Sequence, residues 1–173
     1  MSKEAKVESG FCLEPLDWLE LMMPLKPQDK APDFSLLDQD GNQRSLADYK
    51  GKIILLYFYP KANTPGCTKQ SCLINDSLAQ LNKLNVEAIG ISPDAVAKQK
   101  KFAEKFGLQF ALLSDEDHTI AELYDVWGEK KMYGKSYMGI IRSAFLIDED
   151  GVLIDVWYKV SPKDTVDKAM AKL

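Results

Sequence analysis

Two cysteines stand five positions apart in the stretch "TPGCTKQSC" (64–72), directly after a Pro-Gly pair. Thiols can pack, hold a metal, staple a fold or react, and this spacing narrows the choice. It is neither the C-x-x-C of a dithiol redox motif nor a zinc knuckle. Zinc takes about four ligands, and the one histidine, His118, and the third cysteine, Cys12, lie in unrelated segments. No metal and no organic cofactor is therefore expected. His118, in "SDEDHTI", is expected to cap a helix, which leaves a Cys–His protease dyad without support.

What the thiols can do depends on the elements that carry them. "KIILLYFY" (52–59) is a continuous apolar, β-branched and aromatic run, the pattern of a strand buried on both faces. Cys67 follows that strand and Pro60, at the expected start of a helix. A thiol there meets unpaired backbone N–H groups and the positive end of the helix dipole, both of which favour thiolate. Thr64, three residues earlier, has a hydroxyl that can donate to the sulfur or to a substrate oxygen. The Pro-Gly-Cys turn is expected to expose Cys67, as a nucleophile requires. Free cysteine also serves as a small buried apolar residue, and at Cys72, taken alone, both uses stay open.

The spacing has a geometric consequence. In an intact helix, residues five apart are separated by about 140° and about 7.5 Å of rise, which puts their Cα atoms roughly 9 Å apart. A disulfide reaches no more than about 7 Å between Cα atoms. Cys67 and Cys72 can bond only if the first turn of the helix unwinds.

Further strands are expected at "VEAIGIS" (86–92), "FALLS" (110–114) and "RSAFLID" (142–148), the last turning through "EDG" into "VLIDVWYKV" as a hairpin. Leu73, Leu78, Leu81 and Leu84 extend one helical pattern from Cys67 to Leu84. Pro93 and Asp94 open a second helix that runs to Phe106 and stops at Gly107. "HTIAELYDV" (118–126) is a third, and "SPKDTVDKAMAKL" a last one with Ser161 as N-cap and Pro162 at its first position. "GEKKMYGKSYMG" (128–139), polar and punctuated by glycine, reads as a long covering loop. The alternation predicts an α/β fold, a central mixed β-sheet flanked by helices.

Composition bounds the partners. A chain of 173 residues with 46% hydrophobic content suits one well-packed domain. Its net charge of −4 provides no large basic field, so neither nucleic acid nor an anionic membrane is an expected partner. No apolar run approaches the roughly 20 residues of a membrane span. Glu4, Glu8, Glu14, Asp17 and Glu20 argue against a signal or transit peptide. A cytoplasmic location is expected, where a structural disulfide is a poor explanation for paired cysteines.

"FYPKANTPGCTKQSC" resembles the active-site signature of the peroxiredoxins, Pro-x-x-x-Thr-x-x-Cys, with Pro60, Thr64 and Cys67 in those places. The second cysteine five residues on resembles the peroxiredoxin Q, or bacterioferritin comigratory protein, subfamily. The likeness runs from about Pro24 to the end and includes "KAPDFSLLDQDG", "GISPD", "FALLSDEDH" and "VWGEKKMYGKSYMGIIRSAFLIDEDG". It implies a thioredoxin-like fold and a peroxidatic Cys67, whose thiolate becomes a sulfenic acid as it reduces hydrogen peroxide or an alkyl hydroperoxide. It also implies that Arg142 stabilises the thiolate, that Thr64 hydrogen-bonds the substrate and that Pro60 shields the sulfenic acid. Backbone amides near Gly66 and Cys67 would complete the cradle. Cys72 would resolve the sulfenic acid as an intramolecular disulfide, reduced in turn by thioredoxin or a similar dithiol. Gln70 departs from the glutamate of many relatives, and Ala144 from their Ser or Thr.

The reading is a thioredoxin-dependent peroxidase, monomeric, with residues 23–173 as the catalytic domain and residues 1–22 as a dispensable extension. A redox sensor signalling to a partner protein through the same two cysteines is the alternative. A general thiol–disulfide oxidoreductase is disfavoured by the absent C-x-x-C.

Overall fold

The computed structural model describes residues 24–173. The extension at 1–22, with Phe11, Cys12, Trp18 and its other apolar residues, lies outside the described residues. Two short strands come first, β1 (Ser35–Leu37) and β2 (Gln43–Ser45), then a 3-10 turn at Leu46–Tyr49. The central strand β3 (Ile53–Phe58) leads into helices α1 (Pro65–Asp76) and α2 (Leu78–Lys83). Strand β4 (Val86–Ser92), helix α3 (Val96–Phe106), strand β5 (Ala111–Ser114) and helix α4 (Thr119–Leu123) follow. Strands β6 (Trp127–Met132), β7 (Lys135–Ile140), β8 (Ser143–Ile147) and β9 (Leu153–Trp157) then precede helix α5 (Thr165–Met170).

Seven strands form one sheet in the order β2-β1-β5-β4-β3-β8-β9. It is mixed: β3, β4 and β5 run parallel, while β8 and β9 pair antiparallel beside β3. The apolar run on β3 is continuous because both of its faces are covered, and alternate residues point to opposite sides. Ile54, Leu56 and Phe58 pack with Phe34, Ile120, Tyr124 and Phe145 on one face. Leu55, Tyr57 and Tyr59 pack on the other with Cys67 and Ile74 of α1, Leu81 of α2, Phe102 of α3 and Ala169 of α5. Helix α1 thus lies on the face where Tyr57 reaches up to bond Ser71, 2.7 Å between hydroxyl oxygens.

Several expectations needed correction. The helix pattern from Cys67 to Leu84 is two helices, because Ser77 takes ψ near 0° and turns its hydroxyl back to the Leu73 carbonyl at 3.0 Å. The second helix starts at Val96 and not at Pro93, while Gly107 ends it in the left-handed conformation at φ 62° as expected. The last helix starts at Thr165 behind an Asp164 N-cap, so Ser161 and Pro162 belong to the preceding turn. His118 occupies the N-cap position of α4 without capping it. Its ring stacks on Trp127 at 3.9 Å, and Asp115 takes the amides of Ile120 and Ala121 at 3.2 and 2.9 Å.

The largest difference is at 128–139. The expected loop is the two-stranded sheet β6–β7, joined by Tyr133 (φ 52°) and Gly134 (φ 77°). Two consecutive positive φ values make the tight hairpin turn whose twist matches its strands. The Tyr-Gly pair was the signal, and the lysines on both sides hid it.

Candidate active site

Thr64 is the N-cap of α1 and Pro65 its first helical residue, where a missing N–H costs nothing. The first intrahelical bond runs from the Thr68 amide to the Thr64 carbonyl at 2.8 Å. The amides of Gly66 and Cys67 therefore stand ahead of the ladder, as two donors at the positive end of the helix. Cys67 is only 1% exposed, against the expectation that its turn would expose it. The third position of α1 points its thiol into the core beside Tyr57 and Tyr59.

What reaches that buried sulfur is a guanidinium. Arg142, immediately before β8, sets Nη2 3.3 Å from Cys67 Sγ. Its Nη1 donates to Gln70 Oε1 at 2.7 Å. Gln70 in turn donates through Nε2 to Thr165 Oγ1 at 2.8 Å, and that hydroxyl donates to the Ser161 carbonyl at 3.1 Å. Gln70 and Thr165 are fully buried. Cys67 and Gln70 are three apart on one helix, so they share a face, and a single guanidinium bridges them. Sequence reading noticed Gln70 only as a departure; the i, i+3 relation to Cys67 was the available sign that it faces the same partner. As an amide it orients Arg142 without cancelling its charge.

Gly66 makes that approach possible. A Cβ at this position would lie 3.1 Å from Arg142 Nη2 and 3.7 Å from Pro162 Cγ. The guanidinium has little room to retreat, since Nη1 is tied to Gln70. Gly66→Ala is expected to slow oxidation of the Cys67 thiol roughly tenfold, about what weakening one charge-assisted donor costs. Stopped-flow oxidation beside a melting curve checks it. An unchanged rate in a well-folded variant would mean that Arg142 can shift without consequence.

The remaining sequence-predicted residues sit close by in the chain. Pro60, half-buried, lies two residues past β3 in the loop to α1. Asp94 anchors that loop through Oδ2, which accepts from the Ala62 amide at 2.7 Å and from Ser92 Oγ at 2.8 Å. Thr64 Oγ1 donates to the Lys61 carbonyl at 2.7 Å. Its proton is committed to the backbone, which leaves the oxygen as an acceptor for a substrate O–H. Cys72 lies further along the same unbroken helix, half-buried, and both thiols are free. Burial, and then the Asp76 charge one turn on, push its thiol above the usual range. Among the described residues, no group of three or more His, Cys, Asp or Glu side chains is placed to hold a metal.

A sequence model of the AhpC/TSA family matches residues 27–156. The chain belongs to that family. Peroxiredoxin Bcp of Escherichia coli is 54% identical over 136 residues, which is 79% of this chain and 87% of that protein. Peroxiredoxin Bcp of Bacillus subtilis is 50% identical over 151 residues, covering 87% and 96%. Among solved structures, Xanthomonas campestris peroxiredoxin Q superposes with a TM-score of 0.75 at 36% identity over 80% of this chain and 87% of that one. Peroxidoxin BcpB of Mycobacterium tuberculosis gives a TM-score of 0.76 at 37% identity over 86% and 96%. The fold is the thioredoxin-like fold of the peroxiredoxins, and this AhpC/TSA member is a thiol peroxidase acting on peroxides at the expense of a thiol reductant. No helix among its described residues is long and apolar enough to cross a membrane.

Proposed function

We propose that Cys67 is the peroxidatic cysteine and Cys72 its resolving partner. The observation that carries this reading is the Arg142 guanidinium, 3.3 Å from a thiol at the head of α1. The Cys67 thiolate attacks one peroxide oxygen. An S–O bond forms, the O–O bond breaks, and the leaving oxygen takes a proton and departs as water or alcohol. Arg142 and the Gly66 and Cys67 amides face the charge as it moves from sulfur to oxygen. Thr64 Oγ1 accepts the substrate O–H, and Pro60 limits access of water. The Cys72 thiol then displaces water from the sulfenic acid, giving a Cys67–Cys72 disulfide. Thioredoxin or a similar dithiol protein reduces it and restores both thiols. Hydrogen peroxide and alkyl hydroperoxides are the substrates. The protein works as a monomer in the cytoplasm, with residues 23–173 sufficient and residues 1–22 dispensable.

A coupled assay tests the whole cycle: NADPH, thioredoxin reductase, thioredoxin, hydrogen peroxide and the protein. Steady NADPH consumption is expected, at the same rate from the full chain and from residues 23–173. Cys72→Ser should consume one equivalent of peroxide and stop, with a dimedone adduct on Cys67 by mass spectrometry. Normal cycling by Cys72→Ser would assign resolution to another thiol, and Cys12 is the third cysteine.

A further inference from the structure

The β6–β7 hairpin has no part in the mechanism so far, yet one of its side chains is fixed on the segment that leads to Arg142. The two strands pair glycine with glycine, Gly128 opposite Gly139. A Cβ on Gly139 would lie 3.3 Å from Lys130 Cδ. The Lys130 stem thus crosses bare backbone of the neighbouring strand, and its Nζ donates to the Ile140 carbonyl at 2.9 Å. Ile140 stands two residues before Arg142. Lys130 is half-buried, whereas Lys131 and Lys135 on the same hairpin are exposed.

We propose that Lys130 is the second cation of the peroxidase site, fixed by the Ile140 carbonyl so that its charge adds to that of Arg142 at Cys67 and at the departing oxygen. The proposal rests on Cys67 being the peroxidatic cysteine. In that step negative charge leaves the sulfur and builds on the far oxygen, so positive potential is needed along the whole S–O–O line. Arg142 alone covers one end: Nη2 is on the sulfur and Nη1 is taken by Gln70. Lys130 Nζ is held at the Ile140 carbonyl, two residues before the arginine that meets Cys67, and both Arg142 and Cys67 act on its charge. Burial first, and the Arg142 charge second, hold the Lys130 ammonium below the usual lysine range, while Cys67 opposes them. The cation is complete at low pH and is lost as pH rises through this lowered value. The rate of peroxide reduction should therefore fall on the alkaline side earlier than an ordinary lysine would cause.

The test is single-turnover oxidation of the reduced protein by hydrogen peroxide across pH, with near-ultraviolet dichroism as the check on folding. Lys130→Met is expected to be roughly tenfold slower at neutral pH, about what one partly screened unit charge contributes, and to lose the alkaline fall. Lys130→Arg should restore most of the rate and carry the fall to higher pH. Lys131→Met, the same charge change on an exposed neighbour, should match the parent. A folded Lys130→Met with the parent rate and pH profile would overturn the proposal. So would a Lys130→Arg protein as slow as Lys130→Met with the alkaline fall still in place, since Lys130 would then only tie the hairpin down. If Lys130→Met fails to fold, the Lys130→Arg profile decides alone: a fall left at the parent's pH overturns the proposal. Peroxide consumption surviving in Cys67→Ser would instead remove the reading beneath it.

Discussion

Cys67→Ser is expected to abolish peroxide reduction, and Arg142→Ala to slow it by roughly two orders of magnitude or more. The two losses have different origins. A serine in this place lacks the only atom that can accept oxygen and later pass to a disulfide, so no residual route remains. Arg142→Ala keeps the sulfur but removes the donor 3.3 Å from it. It also strands Gln70, fully buried, whose Oε1 loses its 2.7 Å partner. An unpaired buried amide oxygen costs about 1–3 kcal/mol, so Arg142→Ala should melt earlier as well as react slowly. Single-turnover oxidation and thermal melting on the same samples separate the effects. Undiminished turnover in Cys67→Ser would end the mechanism; an Arg142→Ala protein that melts early but reacts at the parent rate would make the arginine a structural tie.

The sequence carried the chemistry further than it carried the scaffold. Pro60, Thr64, Cys67, Cys72 and Arg142 stand in the pattern that carries the family resemblance, and the buried run at 52–59 marks the strand that leads into α1. The relations between those residues were less legible. Gln70 and Thr165 are separated by 95 positions and Gln70 from Arg142 by 72, and no local periodicity reports such pairs. Burial of Cys67 was missed for a related reason. A Pro-Gly-Cys turn is exposed when considered alone, and only the packing of α1 on Tyr57 and Tyr59 closes it. The β6–β7 hairpin was missed because lysines at 130, 131 and 135 made a polar segment look structureless. Its register pairs Lys130 with Tyr137 and Gly128 with Gly139, so the Lys130 stem lies beside the bare Gly139 backbone, a placement invisible without the partner strand. The short strands β1 and β2 went unseen because three residues each are too few to show alternation.

The geometry of α1 makes oxidation a conformational event. Both cysteines lie on one helix running from Pro65 to Asp76, and five helical positions span roughly 9 Å between Cα atoms against a disulfide reach of about 7 Å. A Cys67–Cys72 bond therefore forbids the turn between them. The far end of the helix is held by apolar packing and by backbone ties: Ile74 is fully buried, Asn75 Nδ2 donates to the Gly107 carbonyl at 3.1 Å, and the Gln109 amide donates to Asn75 Oδ1 at 2.8 Å. The near end is held by polar contacts that converge on Arg142 and Thr165. A disulfide at Cys67 would draw its sulfur away from the 3.3 Å contact with Arg142 Nη2, so the near end is expected to give way first. Hydrogen exchange on reduced and disulfide-bonded protein is expected to show protection at amides 67–72 falling by at least about a hundredfold, the change from a helical turn to a locally open one. Amides of Asn75 and of β4 should keep theirs. With the disulfide confirmed by mass spectrometry, equal protection across 67–72 in both states would mean that the bond forms without unwinding, which the helix geometry does not allow.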